Sequence, residues 1–372
     1  MFKIDFRKPD NTLIVLICLC VIFGTVMVFS SSFISAYLRW SSPYKFFLKQ
    51  ILWLLIGFGA MFITAFIINY KFYKKHARVI YIISWIFVVA VLFFGVSRLG
   101  AKRWLNFGFF TIQPSEFSKI AIVIIIADFI SRKKNMIEKL KGLIAPSAII
   151  LFMLFPIALE PDLGTPILIA TVCFAMLFCA GLSMKVVFGS GMIVTLLVVE
   201  EIIRRPYRLA RFHDYLASFI NIDATSYQVK QSLNALGAGG FFGRGLGKSE
   251  MKLMYLPEAH TDFIFSIIGE ELGFLGVCAV IAFFIYLFFK GIKMSKCMPD
   301  VFSEYLCLGI TFVIVFQAVI NVSVATGIFP PKGFPLPFIS FGGTSLAISM
   351  AAAGILINLS EYSIKIKYNE KR

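Results

Sequence analysis

The sequence predicts an all-α polytopic membrane protein with ten transmembrane helices, both termini cytoplasmic and a large extracytoplasmic loop between helices 7 and 8. Three observations lead there. Apolar side chains make up 59% of the 372 residues and charged ones 15%, whereas an ordinary soluble chain is about a quarter charged. Ten apolar runs come near the roughly 20 residues that a helix needs to cross a bilayer. Lys and Arg gather in alternate connections, as the positive-inside rule expects.

Lys3, Arg7 and Lys8 precede the first run, 12–29. It has the charge pattern of a signal peptide, but its apolar core is too long and no clear A-x-A site follows, so it is read as a spanning helix. The next runs are 46–68, 79–96, 115–130, 143–159, 165–181 and 186–203, and the last three are 263–289, 305–326 and 340–359. With the N-terminus inside, the inner segments hold twenty Lys and Arg and the short outer loops seven. The long loop 204–260 then faces outward with eight basic residues. Long loops obey the charge rule poorly, and an anionic ligand on that face is one explanation of the excess. The formal net charge of +16 is assigned mostly to inner-face lysines beside anionic lipid. Six of the seven cysteines lie in apolar runs and Cys297 in a basic loop, so they read as packing residues and not as a disulfide framework. Forty-two Phe exclude a disordered chain. One domain over 1–372, with its extracytoplasmic loop at about 204–262, is the economical organisation.

Several polar stretches interrupt this apolar background. Arg98, Lys102 and Arg103 with Trp104 form a boundary cluster that an aromatic belt with snorkelling cations also explains. In QPSEFSK, 113–119, Pro114 suits a first helical turn, Glu116 sits at the positive end of the dipole, and Lys119 is placed to pair with it. That pair is either a structural ion pair or the support of a polar cavity. EPDLGT, 160–165, is a tight turn whose carboxylates, Glu160 and Asp162, are weak candidates for a hard cation. The Gly-rich stretch 237–249 carries Arg244 and Lys248 and misses the nucleotide P-loop spacing by one residue. A backbone nest for some other phosphate remains open.

The stretch 256–276, LPEAHTDFIFSIIGEELGFLG, draws most attention. Its loop carries Glu258, His260 and Asp262, and the following helix buries Glu270 and Glu271, which intramembrane cost makes functional or paired. Asp262 stands at the helix start, where an acid is most often a cap. On one stripe below it lie Ser266 and Glu270. Finally, 327–345, which includes Ser340, packs four prolines and four glycines into one outer loop and helix start, a stiff loop that fits partly within the membrane against protein.

Taken together, Arg103-Trp104, QPSEFSK, EPDLGT, YQVKQSLNALGAGGFFGRGLGKS, LPEAHTDFIFSIIGEELG and FPLPFISFGGTS resemble, in order, the signatures of the SEDS family (shape, elongation, division and sporulation). The resemblance runs from about residue 30 to 359 and is closer to the family's cell-division branch than to its elongation branch. It implies a ten-helix protein of the bacterial inner membrane that polymerises lipid II, an undecaprenyl-pyrophosphate-linked disaccharide-pentapeptide, into glycan strands. Asp262 matches the family's essential acid, and Glu116 with Lys119 match its buried charged pair. The implied partners are lipid II, a class B penicillin-binding protein transpeptidase (FtsI-like) and other divisome proteins, and no nucleic acid.

Such chemistry asks for a base to take a sugar hydroxyl proton and cations to receive a pyrophosphate. Asp262 is the expected base, and Arg103, Lys119, Arg208, Arg244 and Lys248 are the candidate cations. No cofactor is demanded, although a divalent cation, magnesium or manganese, would share the pyrophosphate charge. Glu258, His260, Ser266, Glu270 and Ser340 complete the candidates. Two other classes stay in view: a lipid II flippase, with Glu116, Lys119, Glu270 and Glu271 along its path, and a scaffold that needs neither acid nor cations.

Overall fold

A computed structural model describes residues 9–98, 101–108, 110–137, 140–160, 164–183, 226–330 and 332–369, and single positions between 184 and 225. Arg208, Asp162 and all of the predicted helix 186–203 except positions 189, 200 and 203 lie outside the described residues. The chain forms α1 (Asn11–Trp40), α2 (Lys45–Phe62) continued by a π turn (Ile63–Ile67), and α3 (Tyr70–Phe94). Strands β1 (Val96–Arg98), β2 (Ala101–Asn106) and β3 (Thr111–Ile112) follow. Then come α4 (Pro114–Ile137), α5 (Ile144–Leu159), α6 (Gly164–Cys179), α7 (Tyr227–Ala238), α8 (Ile264–Ser295), α9 (Val301–Ala325) and α10 (Thr344–Asn369).

Helix ends follow local chemistry. The Asp10 carboxylate accepts from the backbone N–H groups of Thr12 and Leu13 and so caps α1; Asp300 does the same for α9 through Phe302 and Ser303. The first helix runs eleven residues beyond the expected 12–29, because Ser31, Ser32 and Ser35 are buried in it instead of breaking it. It stops at Ser41, whose φ of 53° is left-handed.

Among the described residues, six helices are long and apolar enough to cross a membrane: α1, α2 with its π turn, α3, α8, α9 and α10. The shorter α5 and α6 are apolar over 16 residues each. The charged helix α4 is central all the same. Its residues from Ile120 to Asp128, and Ile130, are buried, and it packs on α3, α6 and α9, because the stretch from Ile120 to Ala127 is apolar on every face. On its far flank α9 meets α8, α6 and α10.

Two expectations need correction. The segment 96–112 is not a plain boundary loop but an antiparallel three-stranded sheet in the order β1-β2-β3, with Ser97 opposite Lys102 and Leu105 opposite Ile112, so the fold is mostly helical and not all-α. The helix expected as continuous over 263–289 is broken at Gly273, whose φ of 67° and ψ of −162° are open to glycine and costly for other residues. The freed backbone groups find partners in the Gly-rich loop: Glu270 O and Glu271 O accept from the N–H groups of Arg244 and Gly245, and Phe274 N donates to Gly240 O.

Candidate functional site

The site is built at the end of the bundle where α8 begins. Glu258 adopts φ 54°, and its carbonyl accepts from the N–H groups of Thr261 and Asp262, both at 3.2 Å. This turn delivers Asp262 ahead of the helix. Phe263 occupies the N-cap position with no side-chain cap, so Asp262 is not the cap that its position suggested. No described residue donates a hydrogen bond to its carboxylate, which instead faces the backbone of Gly333: a Cβ there would lie 2.7 Å from Asp262 Oδ2. Burial raises the Asp262 carboxyl to about 7, with the charge of Glu258 adding to the shift and that of Arg103 opposing it.

The Pro/Gly-rich segment before α10 folds back into the bundle. The Ser340 hydroxyl donates to Thr261 O at 2.6 Å and accepts from Leu336 N at 2.7 Å, and Phe341 N donates to His260 O at 3.0 Å. Phe338 reaches Phe283, near the middle of α8, with ring centroids 6.2 Å apart. This segment is the irregular backbone that membrane depth tolerates only when protein covers it. His260 lies between Phe46 at 4.3 Å and Phe341 at 5.7 Å. Burial lowers its imidazole to about 4, against the pull of Glu258 and with help from Arg39.

Beneath the turn, Lys119 Nζ bonds Glu116 Oε2 and Gln317 Oε1, each at 2.7 Å, with all three residues buried. Gln317 Nε2 donates to Pro335 O at 2.8 Å, and Asn321 Nδ2 donates to Asp262 O at 2.8 Å and Phe334 O at 2.5 Å. Arg103, on β2, donates from Nε to Glu160 O at 3.4 Å. Asp262, Lys119, Glu116, Arg103, Glu160, Glu258, His260 and Ser340 are thereby gathered around the start of α8 and the folded-back segment.

The remaining candidates serve elsewhere. Ser266 meets Ser232 of α7 at 2.5 Å. Glu270, fully buried, accepts from Ser249 Oγ at 2.5 Å and Glu250 N at 2.8 Å, and Arg244 is held by Glu250 at 2.8 Å and Glu270 at 3.6 Å. The buried Glu271 accepts from Ser30 Oγ at 2.7 Å and pairs with Lys252 at 2.8 Å. Asp262, Ser266 and Glu270 therefore do not form one polar stripe: each leaves the chain toward a different partner. Lys248 is exposed on the Gly-rich loop. Among the described residues, no three His, Cys, Asp or Glu side chains come together as a metal set. Sequence reasoning missed Gln317 and Asn321, although two amides four residues apart in an apolar run are the available signal, since polar groups in such helices seek partners.

A bundle of apolar helices that encloses a Lys–Glu pair and a desolvated aspartate beneath a folded-back loop defines a polytopic membrane protein with an internal polar site. Residues 10–365 match the FtsW, RodA and SpoVE cell cycle protein family. The chain belongs to that family, the SEDS family of the motifs above. It is 39% identical to a Trichlorobacter lovleyi protein that carries the name peptidoglycan glycosyltransferase FtsW, over 95% of each chain. It is 37% identical to the stage V sporulation protein E of Bacillus subtilis, over 96% of this chain and 98% of that one. Among solved structures, a chain of a peptidoglycan synthase complex has the same fold at a TM-score of 0.79 and 23% identity, over 95% of this chain and 98% of that one. The rod shape determining protein RodA of Thermus thermophilus follows at 0.72 and 22%, over 96% and 98%.

Proposed function

We propose that this protein is a peptidoglycan glycosyltransferase that polymerises lipid II during septal wall synthesis, with Asp262 as general base. One observation carries the assignment: the Asp262 carboxylate is desolvated, accepts no hydrogen bond from a described residue, and lies within the electrostatic reach of Arg103. A base poised near neutral pH suits proton abstraction from a sugar hydroxyl. In the reaction, the acceptor hydroxyl oxygen forms a bond to the donor's anomeric carbon and its proton passes to Asp262. The carbon–oxygen bond to pyrophosphate breaks, and undecaprenyl pyrophosphate leaves with the electron pair. Arg103 and Lys119 supply positive charge toward that leaving group, Arg103 through a planar fork suited to phosphate. Arg244, held by two carboxylates, has a structural part, whereas Lys248 is an accessory contact for the incoming headgroup. Should a magnesium or manganese ion take part, the Glu160 carboxylate beside Arg103 would be one of its ligands and the ion would share the pyrophosphate charge.

The reading extends to topology and partners. Ten spans in one domain, cytoplasmic termini and a site facing the extracytoplasmic side of the bacterial inner membrane agree with the charge asymmetry of the loops. The relative named FtsW favours division over elongation. A class B penicillin-binding protein is the expected partner, because the structural neighbour at a TM-score of 0.79 belongs to a complex described as coordinating polymerization and crosslinking. A flippase path would need intramembrane charges facing the bundle interior or a water-filled cavity, but Glu270 and Glu271 are fully buried, each fixed by partners from the Gly-rich loop and α1. The test is labelled lipid II incubated with the purified chain and its transpeptidase. Long glycan strands are expected from wild type and none from Asp262→Asn. Wild-type rates from the folded variant would remove Asp262 as base.

A further inference from the structure

The apolar helix α9 carries two buried amides one turn apart, Gln317 and Asn321. Both donate to the folded-back segment: Gln317 to Pro335 O at 2.8 Å, and Asn321 to Phe334 O at 2.5 Å. Each also holds a charged residue. Gln317 Oε1 accepts from Lys119 Nζ at 2.7 Å, and Asn321 Nδ2 donates to the Asp262 carbonyl at 2.8 Å. These partners fix both amide orientations, because carbonyls accept and an ammonium only donates. Phe334 and Pro335 directly follow Gly333, the backbone that covers the Asp262 carboxylate.

We propose that Gln317 and Asn321 are positioning residues that hold backbone 333–335 against Asp262 and Lys119, so that acid and cation keep one spacing and water is kept from the acid. The proposal rests on the reading of Asp262 as base. Without Asn321, two carbonyls lose their shared donor and Gly333 is freed from the carboxylate. Water then reaches Asp262, and its carboxyl moves down toward the ordinary range, since burial is the leading cause of its shift. The charged groups around it are Glu258 in its own turn, Arg103 from β2 and Lys332 beside Gly333; α9 contributes only amides, and the Glu116–Lys119 pair of α4 acts through Gln317.

The test measures lipid II polymerisation against pH for wild type, Asn321→Ala, Asn321→Asp and Gln317→Glu in nanodiscs with the transpeptidase. Gln317→Glu keeps an acceptor for Lys119 but has no donor for Pro335 O, and Asn321→Asp is isosteric without a donor. Each is expected to lower kcat by about tenfold to a hundredfold, the scale of a small misplacement, with KM within about twofold. The acid limb in Asn321→Ala should move down by about one pH unit. An unshifted limb with kcat near wild type in Asn321→Ala and Gln317→Glu would overturn the proposal. The infrared carboxyl band that Asp262→Asn removes gives a readout independent of turnover. If wild type makes no polymer, the glycosyltransferase reading fails, while an unchanged midpoint of that band in Asn321→Ala still sinks the positioning role, and a lowered one supports it. Should Asn321→Ala not fold, Gln317→Glu carries the same comparison.

Discussion

Glu271 and Lys252 give the sharpest test of which acids are structural. The carboxylate is fully buried, and the Lys252 side chain is 5% exposed. Glu271 Oε1 lies 2.8 Å from Nζ, and Ser30 Oγ donates to the same carboxylate at 2.7 Å. Glu271→Gln keeps the shape and a neutral acceptor, but it removes the counter-charge of the buried Lys252 ammonium, whose other described partner is Ser30 Oγ at 3.3 Å. An uncompensated buried charge costs about 3–5 kcal/mol, a shift of between about two and four orders of magnitude in the unfolding constant. Lys252→Met should cost about as much. The double variant should lose no more than about 1–2 kcal/mol, because an apolar replacement of a whole buried pair is often close to neutral. Reversible unfolding in mixed micelles measures all four corners of the cycle. Strictly additive single and double effects, or a Glu271→Gln cost below about 1 kcal/mol, would refute a buried pair that locks the Gly-rich loop to α1 and α8.

Further outcomes follow from the site. As a base, Asp262 must be ionised, so polymerisation should be half-maximal near pH 7 and fall about tenfold per unit well below it; Glu258→Gln, which removes a charge that raises the carboxyl, should move that limb to lower pH. Because the folded value of Asp262 lies above its ordinary 3.8, its contribution to stability is full below about 3.8 and lost as pH rises through about 7. Asp262→Asn should therefore unfold at a higher temperature than wild type at pH 8. His260 acts in the opposite sense: its depressed imidazole contributes stability above about 6.5 that disappears as pH falls through about 4, and His260→Phe should blunt this acid loss in thermal scans. Gly333→Ala places a Cβ 2.7 Å from Asp262 Oδ2. Turnover should fall at least tenfold while the melting temperature changes little, and wild-type turnover would show that the carboxylate is not confined there.

The broken α8 links fold to site. Backbone bonds at Gly273 and the carboxylates of Glu270 and Glu271 anchor loop 240–252 from two directions. The turn at 256–263 is thus held between this lock and the stapled segment 334–341. A carboxylate can be kept out of water only where the backbone on both sides cannot retreat.

By itself, the sequence determined the membrane class, most of the helices and the Glu116–Lys119 pair, and it singled out Asp262 as a candidate. These follow from local rules: apolar runs of bilayer length, i,i+3 spacing and the cost of intramembrane charge. Only the tertiary structure decided which partners each acid meets. Asp262, Ser266 and Glu270 share a helical spacing in the sequence, yet their partners come from chain segments far apart: Gly333 and Asn321 for the first, Ser232 for the second, Ser249 and Arg244 for the third. The break at Gly273 was equally hidden, because a glycine in an apolar run signals a break only when another backbone is present to take the freed hydrogen bonds. Long-range contact divides residues that look alike in sequence: Glu270 and Glu271 are saturated by donors, whereas the Asp262 carboxylate is buried with none from a described residue.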